Sequence, residues 1–146
     1  MASLPPGPVA VDTSLFIYLM ERHPEYGPAV RPLFEAADRG ESRLVTSAVT
    51  LLEVLVVPLR AGDAALARRY HTLLTRGRGL TLVDLDRPLL HAATLLRATH
   101  GVRTPDALQL AAGLRHRCGC FLTNDRRLAR IPGLPVIQLR DMVNDK

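Results

Sequence analysis

The chain has 146 residues, 47% of them hydrophobic, which suits a single globular domain over residues 1–146 and is too short for two ordinary ones. No apolar run reaches the roughly 18 residues needed to span a membrane. The N-terminal MASLPPGPVAVDTSLF also lacks a basic leader with a long apolar block, so a cytoplasmic chain with no membrane association is expected. The net charge of +5 points weakly toward polyanions such as nucleic acid.

Taken in chain order, residues 8–12 (PVAVD) form a strand rich in β-branched residues. A helix follows over 14–22, then a loop over 23–28 (HPEYGP), then a helix ending near Gly40. Residues 43–47 (RLVTS) are a second strand. The run LVTSAVTLLEVLVVPL continues as a helix that Pro58 should stop or kink. Asp63 caps a further helix to about residue 75, and residues 79–86 (GLTLVDLD) are a third strand. Asp86 then caps a helix over 87–100, with Pro88 in its first turn. Another helix spans 105–117, with Thr104 as its cap. Residues 120–123 (CFLT) are a fourth strand, 124–130 (NDRRLAR) a short helix and 134–139 (LPVIQL) a fifth strand. Cys118 and Cys120, separated by one glycine, suit neither a disulfide nor a zinc site and read as apolar residues entering a strand in a reducing compartment.

Strands alternating with helices imply an α/β fold, a parallel sheet covered on both faces. Ligands of such sheets bind beyond the carboxyl ends of the strands, where strand order reverses. Asp12 and Asp125 each follow a strand at that edge, and Asp106 lies in the first turn of a helix. Capping and the helix dipole explain each of these three alone. Glu53 is different, because it sits in mid-helix among Leu51, Leu52, Val54, Leu55, Val56 and Val57. Thr50, three residues back, shares at most a narrow polar stripe with it. No lysine is near, and Arg60 lies beyond Pro58, which leaves a metal cation as an attractive partner.

Clustered carboxylates cannot all ionise cheaply side by side. A hard divalent cation such as Mg²⁺ or Mn²⁺ removes that conflict, and phosphodiester hydrolysis is the usual use of such a site. Lys146 is the only lysine, so arginine carries nearly all the positive charge. Bidentate phosphate contact and GC-biased codon usage account for that equally well. Arg126, Arg127 and Arg130 follow Asp125 directly and are read either as a solvated helix face or as phosphate contacts at the pocket rim. Asp84 and Asp86 read as strand-end and capping residues, and the five histidines show no metal-ligand spacing.

The motifs VDTS, TSAVTLLEVL, RTPDALQLAA, FLTNDRRL and GLPVIQL, in that order, resemble PIN-domain ribonucleases, and especially the VapC-type toxins of toxin–antitoxin pairs. The resemblance covers about residues 9–139. It implies a three-layer α/β/α fold with a central five-stranded parallel sheet in the order 3-2-1-4-5. The family's four acidic positions fall on Asp12, Glu53, Asp106 and Asp125, with Glu53 reaching the metal directly or through water. Its supporting polar positions fall on Thr13 or Ser14 and on Thr123 or Asn124. The resemblance further implies Mg²⁺ or Mn²⁺ as cofactor and RNA as substrate, with products bearing 5′-phosphate and 3′-hydroxyl ends. It also implies a homodimer and a small antitoxin that blocks the pocket. A housekeeping PIN nuclease and a non-catalytic RNA-binding module are the alternatives. An aspartyl phosphatase is disfavoured, since Ser14 stands where its second acid would be.

Overall fold

The computed structural model describes residues 4–128 and 130–144. In chain order the elements are β1 (Val9–Val11), α1 (Thr13–Met20), α2 (Tyr26–Asp38), β2 (Leu44–Ser47), α3 (Val49–Arg60) and α4 (Ala64–Arg76). They continue with β3 (Leu80–Val83), α5 (Arg87–His100), α6 (Thr104–Arg115), β4 (Cys120–Thr123), β5 (Val136–Gln138) and α7 (Leu139–Asn144). All strand pairs are parallel, and the sheet order is β3-β2-β1-β4-β5, as expected.

The strands are apolar on both faces because both faces are covered. Val9, Val11, Leu44, Cys120 and Leu122 pack beneath α1, α2, α4 and α7. The alternate residues Ala10, Val45 and Phe121 pack against α5 and α6. Cys118 and Cys120 are free and buried, and burial pushes both thiols up to about 11. Among the described residues no helix is long and apolar enough to cross a membrane.

Several local expectations differ from the structure, among them the cap of α6, where Arg103 and not Thr104 takes the cap position and no side chain caps the helix. Helix α2 starts inside the expected loop, because His23 Nδ1 accepts the backbone N–H groups of Glu25 and Tyr26. Pro28 then falls in the first turn, where no intrahelical donor is required. Helix α3 runs through buried Pro58 and ends only two residues later, so the proline shortens the helix without stopping it at once. The expected helix over 124–130 is a bend and turn through residue 128, and Ala129 lies outside the described residues. Asp125 Oδ1 accepts the Arg127 N–H at 2.9 Å, an Asx turn in place of a helix cap. Finally, β3 and β5 are shorter than expected, and α7 follows β5 directly.

Candidate active site

The reversal in strand order lies between β1 and β4. Register pairs Val11 with Leu122, which sets Asp12 beside Thr123 at the carboxyl edge. Asp125 follows two residues after Thr123. Helix α6 supplies Asp106 from its first turn, and α3 supplies Glu53. All four acids line one cavity of about 300 Å³, together with Arg103 and Pro105. Two larger cavities, of about 690 and 730 Å³, are lined by arginines around the ends of α2 and α4. Size does not identify the site here. Convergent titratable groups with perturbed pKa values do, and they lie in the small acidic cavity.

Asp12 Oδ1 accepts the Thr13 N–H at 2.8 Å, and Oδ2 accepts the Thr123 hydroxyl at 2.6 Å. The residue therefore caps α1 and lines the cavity with one carboxyl group. Burial raises its pKa, the two hydrogen bonds work against that rise, and the charges of Glu53 and Asp125 add to it. Asp106 is also raised, first by burial and then by Asp12 and Asp125, against Arg103 and Arg127. Asp125 moves the other way, held below the usual carboxylate range chiefly by the hydrogen bond from Arg127. The Arg127 guanidinium sits 3.1 Å from Asp125 Oδ1. The cavity thus holds two carboxyls that resist ionisation and one that favours it.

Glu53 is exposed, not buried, yet it is anchored, since its Oε1 accepts the Thr13 hydroxyl at 2.6 Å. Below Thr13 lies a buried polar network of Thr46, Thr50 and Gln109. The polar stripe of α3 is Thr50 and Glu53, as their spacing suggested. Gln109 and Arg103 were not singled out in the sequence. Gln109 was visible as the only polar side chain between Ala107 and Gly113, three residues after Asp106.

The other candidates divide. Thr13 and Thr123 bond directly to the acids. Ser14 Oγ is buried and has no hydrogen-bond partner among the described residues. Asn124 accepts the Arg140 N–H at 2.8 Å, fastening the end of β4 to α7 instead of joining the cavity. The three arginines do not share a helix face. Arg127 pairs with Asp125, whereas Arg126 and Arg130 line a separate cavity of about 280 Å³ with Gln138 and Asp141.

Hard oxygen donors in one cavity fit a divalent cation of the Mg²⁺ or Mn²⁺ type. As the side chains stand, no three His, Cys, Asp or Glu residues among those described are close enough to hold an ion. In this arrangement Asp125 is turned toward Arg127, which pairs with it at 3.1 Å.

Acids gathered where a parallel sheet reverses its strand order, walled by helices on both faces, place the chain in a class of α/β domains with a carboxylate pocket. The family model for the PIN domain matches residues 9–134, and the chain belongs to the PIN-domain family. PIN domains are generally nucleases and generally use divalent metal ions. Among solved structures, the chain is similar to a toxin–antitoxin complex from Klebsiella pneumoniae, with 22% identity and a TM-score of 0.66, covering 90% of this chain and 97% of that one. It is also similar to VapBC2 from Rickettsia felis bound to a DNA fragment from its promoter, with 16% identity and a TM-score of 0.66, covering 89% and 97%. FitAcB from Neisseria gonorrhoeae is similar at 17% identity and a TM-score of 0.63, covering 90% and 98%. No curated protein matches the chain. At these identities the likeness establishes the fold.

Proposed function

We propose that the chain is a Mg²⁺- or Mn²⁺-dependent endoribonuclease and the toxin of a toxin–antitoxin pair. The observation that carries this reading is the convergence of Asp12, Glu53, Asp106 and Asp125, from four separate parts of the chain, on one cavity at the switch point of the sheet. Asp12, Asp106 and Asp125 would hold the ion, with Glu53 reaching it directly or through water. Bound there, the ion supplies the Lewis acidity that lowers the pKa of water and neutralises charge on a phosphodiester.

The residues divide the remaining work. Thr13 N–H and the Thr123 hydroxyl hold Asp12 in one orientation, facing the cavity. Thr13 holds Glu53 at the mouth. Arg103, on the rim, offers a guanidinium to a phosphate oxygen. Arg127 neutralises Asp125 until another cation replaces it. A small antitoxin as partner is supported by the toxin–antitoxin complexes among the similar structures. A homodimer and a cytoplasmic location complete the proposal.

The test is cleavage of RNA by purified protein with Mg²⁺ or Mn²⁺, against chelator and against Asp12→Asn. Wild type should cut only with metal, and the variant should lose cutting while keeping its far-ultraviolet circular dichroism. Full activity in Asp12→Asn would remove the assignment.

A further inference from the structure

Gln109 is 2% exposed in the middle of α6, and each of its four hydrogen-bonding capacities faces a partner. Oε1 accepts the Ser47 N–H at 3.0 Å and the Thr46 hydroxyl at 3.2 Å. Nε2 donates to Thr50 Oγ1 at 2.7 Å and to Thr13 Oγ1 at 3.3 Å. The amide has only one workable orientation. A backbone N–H can only donate, so the atom facing Ser47 is the oxygen, and the nitrogen must face Thr13 and Thr50.

That orientation fixes the hydroxyl protons above it. Thr13 and Thr50 both accept from Gln109. A carboxylate only accepts, so the single hydroxyl proton of Thr13 goes to Glu53 Oε1. The Thr50 proton then goes to Thr13 or to Thr46, 3.1 and 2.8 Å away. Thr46 has Val11 O and Gln109 Oε1 as its own acceptors. Every donor in the network has a destination, and the chain of bonds ends on the one acid that is otherwise exposed to solvent.

We infer that Gln109 is a positioning residue for the acidic cavity: acting through Thr13, it aims a hydroxyl proton at Glu53 and holds that carboxylate over the pocket. The role of the positioned Glu53 rests on the function proposed above, but the positioning itself does not. Partners of this kind behind a metal-site carboxylate typically alter metal affinity or activity 10- to 100-fold.

The test uses Gln109→Met, which keeps the length but has no amide, and Thr13→Val, which breaks the last link yet leaves Gln109 bonded to Ser47 and Thr46. Side-chain scalar couplings report the rotamer of Glu53 without metal or RNA. Calorimetry reports Mn²⁺ affinity, and RNA cleavage kinetics separate kcat from KM. Glu53 should occupy one rotamer in wild type and average among rotamers in both variants. Mn²⁺ affinity and kcat should each fall about 10-fold, with KM nearly unchanged. In a Glu53→Ala background, Gln109→Met should cause no further loss of Mn²⁺ affinity, as expected for a residue acting through Glu53. A single Glu53 rotamer in the variants, or an undiminished effect of Gln109→Met without Glu53, would overturn the inference. A wild type that neither binds Mn²⁺ nor cuts RNA would defeat the proposed function, and the Glu53 couplings would still decide the positioning.

Discussion

Asp12 places a cap, a cavity wall and a raised pKa on one carboxyl group. In the folded protein its proton is retained to higher pH than in the unfolded chain. Without metal, stability is therefore lost as pH rises from the unfolded-chain value through the higher folded-state one. Asp12→Asn removes that charge and can still accept the Thr13 N–H. Its metal-free Tm at neutral pH should rise by a few degrees, even as cleavage is lost. A lower Tm would mean that the hydrogen bonds from Thr13 and Thr123 outweigh the burial cost. Asp125 carries the opposite sign. Arg127→Gln should return the Asp125 pKa toward its ordinary value, as read by carbon-detected NMR titration, and an unmoved pKa would contradict the ion pair. At this scale the sequence was most informative about position. Residues ending neighbouring strands meet at the sheet edge, so Asp12 and Asp125 were legible. Gln109 stood out only as a lone polar residue in an apolar run, and its role was not legible, because its partners Thr13, Ser47 and Thr50 are about 60 to 100 residues away in sequence.

At the scale of elements, α3 shows why an apolar run is ambiguous. Thr50, Val54 and Pro58, spaced by four, face inward, while Leu52, Val56, Val57 and Leu59 are exposed. With both faces apolar, periodicity could not say which one α3 buries, and only the mid-helix charge of Glu53 marked the side that lines the cavity. The segment 124–128 failed as a helix for a different reason. The Asx turn at Asp125 gives the backbone a local alternative that a helical reading overlooks. That turn is also what separates Arg127 from Arg126 and Arg130. Element junctions can be tested at Gly79, which enters β3 with φ +70°, where a Cβ would lie 2.3 Å from the Ala37 carbonyl oxygen. Gly79→Ala should cost about 2 kcal/mol or more in denaturant unfolding, from left-handed strain and the clash together. A neutral result would mean that the approach of α2 to β3 is looser than drawn.

At the scale of the whole molecule, the sheet topology does the assembling. Strand order β3-β2-β1-β4-β5 makes β1 and β4 neighbours across the reversal, so residues more than 100 positions apart share one cavity. The order was anticipated from family resemblance, and alternation of strands and helices alone gave only a parallel sheet. The same topology leaves much of the positive charge elsewhere, around the ends of α2 and α4. If the acidic cavity binds Mg²⁺ or Mn²⁺, either ion should raise the Tm in proportion to the logarithm of its concentration above Kd. That rise should be smaller in Asp12→Asn, as measured by thermal melts across a metal titration. Mapping cut ends on total RNA tests for metal-dependent RNA hydrolysis at the four-carboxylate cavity. Wild type with Mg²⁺ or Mn²⁺ should leave fragments with 5′-phosphate and 3′-hydroxyl ends, and none should form with chelator or from Asp12→Asn. Cuts that persist in chelator or in the variant, or that leave cyclic 2′,3′-phosphates, would contradict the proposed function.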